Sequence, residues 1–435
     1  MIALGAALLL QVAVPVPVPA RIAGPDLPKV TLAEALQRAV GVDPDFIRTA
    51  GQVDVAEWGR RAAILAFIVP ALNVSIDATK FSDPFFNIGI GAPTTSAVNF
   101  RATAAYELLS LRKFADVSRT RAELDAAAAT MEQQRLQLAF DVETDFYDVL
   151  ATQALLRVAE NRFQRAEEQM QVARARVLSG ATVQTDSLQL ELEITQARIE
   201  LLRREAARQV AQLQLGRRIG EETPVEAVRP DSLVPPPLAY DDETLVRMAL
   251  EQGPQYRAAR ANERAAQSFL TGQKSTYLPS VNLTGAYTRF DDQFFPSGRS
   301  IGSVTLTVSY PLWNLGQREI AVTQARVDRD VSRAIRADLE RAARRDVVQA
   351  AMAYRISYEA VSLTQVALGA AQETFRVQDL RYRSGANTIL DLLEAQFQLT
   401  NAEAQVVQAL YALNLSRAGL EAVVGRQLFS GRIGE

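Results

Sequence analysis

The 435-residue sequence contains no cysteine and no histidine. Without cysteine there is no disulfide, no thiolate nucleophile and no zinc site of the usual kind. Without histidine the commonest general base and the commonest transition-metal ligand are both missing. An acidic or lysine-based active site remains conceivable, but no enzyme, cofactor or metal centre is expected. A surplus of one charge is also lacking. The 47 basic residues nearly balance the 50 acidic ones, and the two signs are interspersed along the chain. No nucleic-acid partner is expected from that pattern. Beyond the N-terminus no stretch approaches the roughly 20 apolar residues that a membrane-spanning helix needs. If this chain crosses a membrane, it does so with strands.

Residues 1–20 are apolar and then alternate Val with Pro. Ile2 to Leu10 resemble the apolar region of a secretory signal peptide, with Ala20 as its cleavage point. No Lys or Arg precedes Arg21, so a disordered Pro-rich N-terminus is the alternative.

The strongest feature present is an internal duplication. Gly180, Asp186 and Gly220 recur as Gly385, Asp391 and Gly425, each 205 residues on. Arg176-Val-Leu-Ser-Gly180 answers Arg381-Tyr-Arg-Ser-Gly385, and Asp43-Pro44 answers Gly253-Pro254. The expected division is a signal peptide at 1–20, a first structural repeat at 30–228, a Pro-rich linker at 229–239, a second repeat at 240–425 and a tail at 426–435. Each repeat reads as a short helix, a second helix after the Pro, two strands, a very long helix, a Ser-Gly break and another helix. The first helix starts are Thr31, with Glu34 at capping-box spacing, and Asp242. The second helices run to about Ala66 and Thr276.

The strands have period two. In Ser303–Tyr310, Val304, Leu306, Val308 and Tyr310 share one face, and Ser303, Thr305, Thr307 and Ser309 the other. Phe100–Glu107 and Asn73–Thr79 alternate in the same way. A transmembrane barrel shows this pattern, and so does a half-buried soluble sheet. Phe81, Phe85, Phe86, Phe290, Phe294 and Phe295 are placed to form an interfacial aromatic girdle. Asn73-Val-Ser75 and Asn282-Leu-Thr284 match a glycosylation pattern by chance, within strands, and Gly89-Ile-Gly91 lacks the context of a nucleotide site.

Leu111 to Leu178 holds no proline and no glycine, which predicts a helix on the order of 100 Å long. Leu312 to Arg383 predicts its counterpart. After each break an apolar seam steps by four and three: Leu188, Leu192, Thr195, Ile199, Leu202, Ala206, and in the other half Leu393, Phe397, Thr400, Ala404, Val407, Tyr411. A second stripe lies beside it, Leu190, Ile194, Ala197 and Leu201 in the first half. Two stripes predict neighbours on two sides, as in a wall of helices closed into a tube.

These features together resemble the TolC family of outer-membrane efflux proteins. The residues that carry the resemblance are Leu278-Pro279-Ser280, Tyr310-Pro-Leu-Trp-Asn-Leu-Gly316, and Arg381 to Gly385 followed by Asp391-Leu-Leu-Glu394. It covers about Val30 to Gly425. The resemblance implies a mixed, mainly α fold. It implies a homotrimer in which each chain gives four strands to a 12-stranded transmembrane β-barrel. The helices continue as a long periplasmic α-helical barrel of coiled-coil pairs. The implied function is export across the outer membrane, with drugs, metal ions or secreted proteins as cargo. The implied partners are a periplasmic adaptor (membrane fusion protein), an inner-membrane transporter and outer-membrane lipid. No cysteine is present to carry the N-terminal lipid anchor of some members.

A duct needs pore radius, charge and docking surfaces rather than catalytic groups. Gly180 and Gly385 are read as the tip turns. Asp391 and Glu394 share a helix face and match the family's entrance ring, two carboxylates from each protomer. Thr388 with Asp391 has capping-box spacing, so helix capping is the plainer reading of the same residues. The resemblance places the tip lock at Thr185, Asp186 and Tyr382. The family's linking arginine falls on Asn387. Asp186 has Gln189, not a carboxylate, three residues on. Two rival readings stand beside the duct: a non-membrane coiled-coil scaffold of the cell envelope, and an enzyme with paired carboxylates, for which so elongated a chain offers no pocket-forming core.

Overall fold

The computed structural model describes residues 27–87, 90–180, 183–230, 232–292 and 299–429. The expected signal peptide, Gly89, Phe294, Phe295 and the end of the tail lie outside them. In chain order the elements are β1 (Lys29–Val30), α1 (Leu32–Val40), α2 (Pro44–Leu65), β2 (Ala71–Asn87), β3 (Ala92–Leu109), α3 (Leu111–Leu178) and α4 (Gln184–Ile219). β4 (Glu226–Ala227) closes the first repeat by pairing parallel with β1, and the second repeat follows with α5 (Asp242–Gln252), α6 (Pro254–Lys274), β5 (Ser280–Asp291), β6 (Ser300–Ser309), α7 (Gln317–Ser384) and α8 (Ile389–Val424).

Local chemistry marks the start of each repeat. The Thr31 N–H donates to Glu34 Oε2 at 2.9 Å while Thr31 Oγ1 accepts from the Glu34 N–H, a full capping box for α1. Pro44 and Pro254 take the first helical positions of α2 and α6, where a missing N–H leaves nothing unsatisfied. The returning helices end against these corners. Gly220 and Gly425 have φ of +81° and +82°. A Cβ on Gly220 would meet Val42 at 2.9 Å, and one on Gly425 would meet Pro254 at 2.7 Å. Only glycine tolerates both the left-handed backbone and the close approach.

The sheet has the order β2-β3-β5-β6 and is antiparallel throughout, with the central β3–β5 pairing joining the two repeats. Its register sorts the side chains. Val74 lies opposite Ala102, which lies opposite Tyr287; Leu283 lies opposite both Tyr106 and Leu306. On the other face Asn73, Thr103, Ala286 and Ser303 line up, as do Glu107, Asn282 and Thr307. Among the described residues nothing covers the apolar face, with Val304 at 78% exposure and Leu72 at 73%. No helix among the described residues is long and apolar enough to cross a membrane.

The long helices carry the repeat. α3 and α7 are 68 residues each, and α4 and α8 are 36 each. The returning helices cover only the half of α3 and α7 nearer the tips. α2 and α6 cover the rest of α3: Ser118 Oγ lies 2.9 Å from Ser268 Oγ, and Arg264 pairs with Asp125 at 3.3 Å. Two buried cores sit at mid-height, one per repeat. Leu138, Val142 and Phe146 of α3 meet Leu215 and Ile219 of α4 in the first. Val347 and Tyr354 of α7 meet Leu413 and Leu420 of α8 in the second.

Several expectations need correction. The helix expected from Leu312 begins at Gln317, because Leu315 and Gly316 both adopt left-handed backbone (φ 59° and 78°), which a right-handed helix cannot include. β2 and β3 are 17 and 18 residues long, well beyond their alternating windows. β2 runs on past Asp83-Pro84 through a register shift between Lys80 and Phe85. The Pro-rich segment packs on the second repeat, where Tyr354 donates to the Pro236 carbonyl at 2.6 Å and Asn414 Nδ2 to the Leu233 carbonyl at 2.8 Å. A pocket-forming core is also present, a cavity of about 240 Å³ bounded by Glu143, Arg417 and Glu421 with Pro235, Pro236 and Phe429. Its two carboxylates are not paired with each other. Arg417 lies between them and donates to both.

Candidate functional site at the hairpin tips

Each long hairpin reverses at a glycine with positive φ, +74° at Gly180 and +80° at Gly385. At the second turn the Gly385 N–H donates to the Tyr382 carbonyl at 3.0 Å and the Ala386 N–H to the Arg381 carbonyl at 2.8 Å, the double bond of a Schellman stop. The two tips then pack on each other. Met170, Ala173 and Leu190 of the first hairpin share one buried cluster with Tyr382, Ile389 and Leu392 of the second.

Tyr382 is 1% exposed. Its hydroxyl donates to Asp186 Oδ2 at 3.5 Å, across the two hairpins. Burial and the facing Asp186 carboxylate push its phenol above the usual value. Thr185 is exposed beside Asp186. Asn387 turns back onto its own hairpin, where Nδ2 donates to the Gln378 carbonyl at 3.2 Å and to Gln378 Oε1 at 2.7 Å. The structure thus brings Asp186 and Tyr382 together and ties Asn387 to α7.

Asp391 caps α8. Its Oδ2 accepts from the Thr388 N–H at 3.0 Å and from Thr388 Oγ1 at 2.8 Å, while the Asp391 N–H donates back to Thr388 Oγ1. These bonds from Thr388 hold its carboxyl below the ordinary value. Glu394 is exposed and accepts from Gln398 Nε2 at 2.9 Å. Asp391 and Glu394 both line an open groove with Thr374, Gln378 and Leu390. The first tip lacks the matching device: the N-cap of α4 is Val183, which makes no side-chain cap. The plainer reading of Asp391 is therefore present in the fold, and it leaves Glu394 outward.

Sequence reasoning missed the residues that tie the hairpins together. Arg176 donates to the Tyr382 carbonyl and sets its guanidinium 4.7 Å from the centre of the Tyr382 ring. Higher up, Arg165 makes a two-point bridge across to Glu403 of α8, while Arg162 makes one within the first hairpin, to Glu193 of α4. These pairs are under one-fifth exposed. Their only sequence signal is a charged residue on an otherwise apolar helix face. Among the described residues no group of acidic side chains is arranged to hold a metal ion.

The sequence matches the model of the Outer membrane efflux protein family twice, over residues 35–221 and 245–426. It is 24% identical to the cobalt-zinc-cadmium resistance protein CzcC of Cupriavidus metallidurans, over 94% of this chain and 92% of that one. It is 23% identical to the toluene efflux pump outer membrane protein TtgC of Pseudomonas putida, over 68% of this chain and 61% of that one. The fold superposes on the crystal structure of CusC with a TM-score of 0.77 at 17% identity, covering 91% of this chain and 92% of that one.

Proposed function

This chain belongs to the outer membrane efflux protein family, and from that membership we propose that three copies close into one duct that passes divalent metal cations out of the cell. The chain is an outer-membrane efflux channel; the oligomer, the cargo and the docking partners are our reading. The observation that carries the oligomer is the sheet. Its outer strands β2 and β6 find no further partner among the described residues, and one of its faces is apolar and uncovered. Open strand edges are not tolerated in lipid, so four strands need other copies to close a barrel. Three copies give 12 strands. The same logic applies below the membrane. The stripe Leu190, Ala197 of α4 is buried against its own chain, whereas Leu188, Leu192, Ile199 and Leu202 are exposed. That seam suits the next protomer of a helical tube.

The metal reading is supported by the relative matched nearly end to end, the cobalt-zinc-cadmium resistance protein. The match to the toluene pump component spans under two-thirds of that protein. The chain's chemistry suits such cargo. A duct must release what enters it. With no histidine or cysteine, this chain lacks the imidazole and thiolate ligands that bind cobalt, zinc or cadmium most tightly. Carboxylates at Asp391 and Glu394 would draw cations to the entrance and let them go. The tips, with Asp186, Tyr382, Thr185 and Asn387 around them, form the closable end, and the surface around them takes a periplasmic adaptor that joins the duct to an inner-membrane transporter.

Two measurements test this. Native mass spectrometry of detergent-extracted protein is expected to give three times the mass that the same sample's single chain shows under denaturing conditions. A monomer extracted without detergent would favour the coiled-coil scaffold. Cells deleted for this chain are expected to lose growth on cobalt, zinc or cadmium. Loss of tolerance to toluene alone, with metal tolerance unchanged, overturns the cargo.

A further inference from the structure

We infer that Arg176 is the residue that holds the tip shut, acting through Tyr382, and that the Tyr382–Asp186 contact is secondary. The inference rests on the reading of the tips as the closable end of the duct. It starts from a distance. Tyr382 Oη lies 3.5 Å from Asp186 Oδ2, at the outer limit of a hydrogen bond, whereas an O–H···O bond is ordinarily about 2.7–2.8 Å. That contact alone is a weak latch. Arg176 grips the same tyrosine at two points. Its Nη1 donates to the Tyr382 main-chain carbonyl, and its guanidinium faces the ring at 4.7 Å. One side chain thereby fixes both the backbone and the ring of Tyr382.

The electrostatics favour a cation there. Arg176 sits in the last turn of α3, and Tyr382 in the last turn of α7. Two helix C-termini, each with exposed carbonyls and a partial negative charge, meet at this point. The arginine neutralises both and joins the hairpins. The guanidinium also lies against the second tip turn: a Cβ on Gly385 would be in van der Waals contact with Arg176 Nη2, at 3.4 Å.

The duplication sharpens the assignment. The 205-residue spacing that relates the repeats pairs Arg176 with Arg381 and Tyr382 with Val177. Arg381 acts within its own hairpin, where its charge helps to hold Asp391 ionised. Only the first-repeat arginine reaches across, and only the second repeat supplies an aromatic ring to receive it. The clamp is one of the points where the two copies have become unequal.

Arg176 is a positioning residue, so the test must separate its action from general support of the fold. Single-channel conductance is measured in planar bilayers for Arg176→Met, Arg176→Lys, Tyr382→Leu and the Arg176→Met/Tyr382→Leu double variant. Arg176→Met and Tyr382→Leu are each expected to raise conductance several-fold in a trimer that stays assembled. The double variant is expected to exceed neither, because both remove one coupled contact. Arg176→Lys, which keeps a cation over the ring, is expected to restore much of the closure. Unchanged conductance in Arg176→Met, while Asp186→Ala or Tyr382→Phe opens the duct, overturns the clamp and leaves the tip lock standing. Unchanged conductance in all of these overturns both. Additive effects in the double variant, or no rescue by lysine, reduce Arg176 to a structural residue.

Discussion

Asp391 caps α8, and in the proposed duct the same carboxylate would take a second duty in the entrance ring. One Oδ2 is engaged by Thr388, and the side chain still lies at the rim of the tip groove beside Glu394. The duties separate by mutation. Thr388→Ala removes the cap alone and is expected to cost about 1 kcal/mol, read as a lower melting temperature, with ion selectivity unchanged. Asp391→Asn with Glu394→Gln is expected to lower the preference for cations, read as a shift in reversal potential under a salt gradient. An unchanged reversal potential would mean that these carboxylates do not face the ion path. Asp186→Ala is expected to raise conductance modestly, because it removes a contact of 3.5 Å. The single residues that local rules made legible act locally, whereas Asp186 and Tyr382, 196 residues apart, came only from the family resemblance. Gly180, Gly385 and the Thr388–Asp391 box declare themselves within a few positions. Arg176 and Tyr382 are 206 residues apart, and Arg165 and Glu403 are 238 apart. No local rule reads such a distance, and Arg176 looked like one more charge in a helix rich in them.

The elements were legible in proportion to how strongly a local rule speaks. α3 was predicted end to end, because 68 residues without proline or glycine leave little choice. α7 was placed five residues early. Pro311 to Gly316 holds apolar residues at helical spacing, and only backbone geometry shows that Leu315 and Gly316 turn the other way. β1 and β4 escaped notice because two residues carry no period. The seam on α4 was seen as one of two stripes, but which stripe the chain buries itself depends on tertiary packing. That exposed seam carries a prediction. Leu192→Glu or Ile199→Glu is expected to break the trimer in native mass spectrometry while circular dichroism keeps its helical signal. Burying one such side chain is worth about 1.5–3 kcal/mol, and a closed tube repeats the loss at every protomer boundary. A trimer that survives both substitutions would show that the seam faces something other than a copy of this chain.

The two repeats are bound into one molecule at mid-height by Glu143 of α3 and Arg417 of α8. Glu143 is deeply buried, and that burial outweighs the attraction of Arg417, pushing its carboxyl up to about 6 from 4.5. A carboxyl raised in the folded state contributes stability that is complete below the unfolded value of 4.5 and is lost as pH climbs through 6. A shift of this size corresponds to about 2 kcal/mol. Melting curves from pH 7.5 to 4.5 are expected to show the native chain gaining about that much on Glu143→Gln, whose side chain does not titrate. Parallel curves would place the titration elsewhere. The matched helix lengths constrain the molecule more severely. Deleting one residue from α3 would lift its tip by about 1.5 Å and turn everything beyond it by about 100°. Arg165 would then leave Glu403, and Arg176 would leave Tyr382. Only a whole heptad, removed from α3, α4, α7 and α8 together, would keep every face in register. A duct of this design can therefore change its reach only in steps of about 10 Å, agreed among four helices at once.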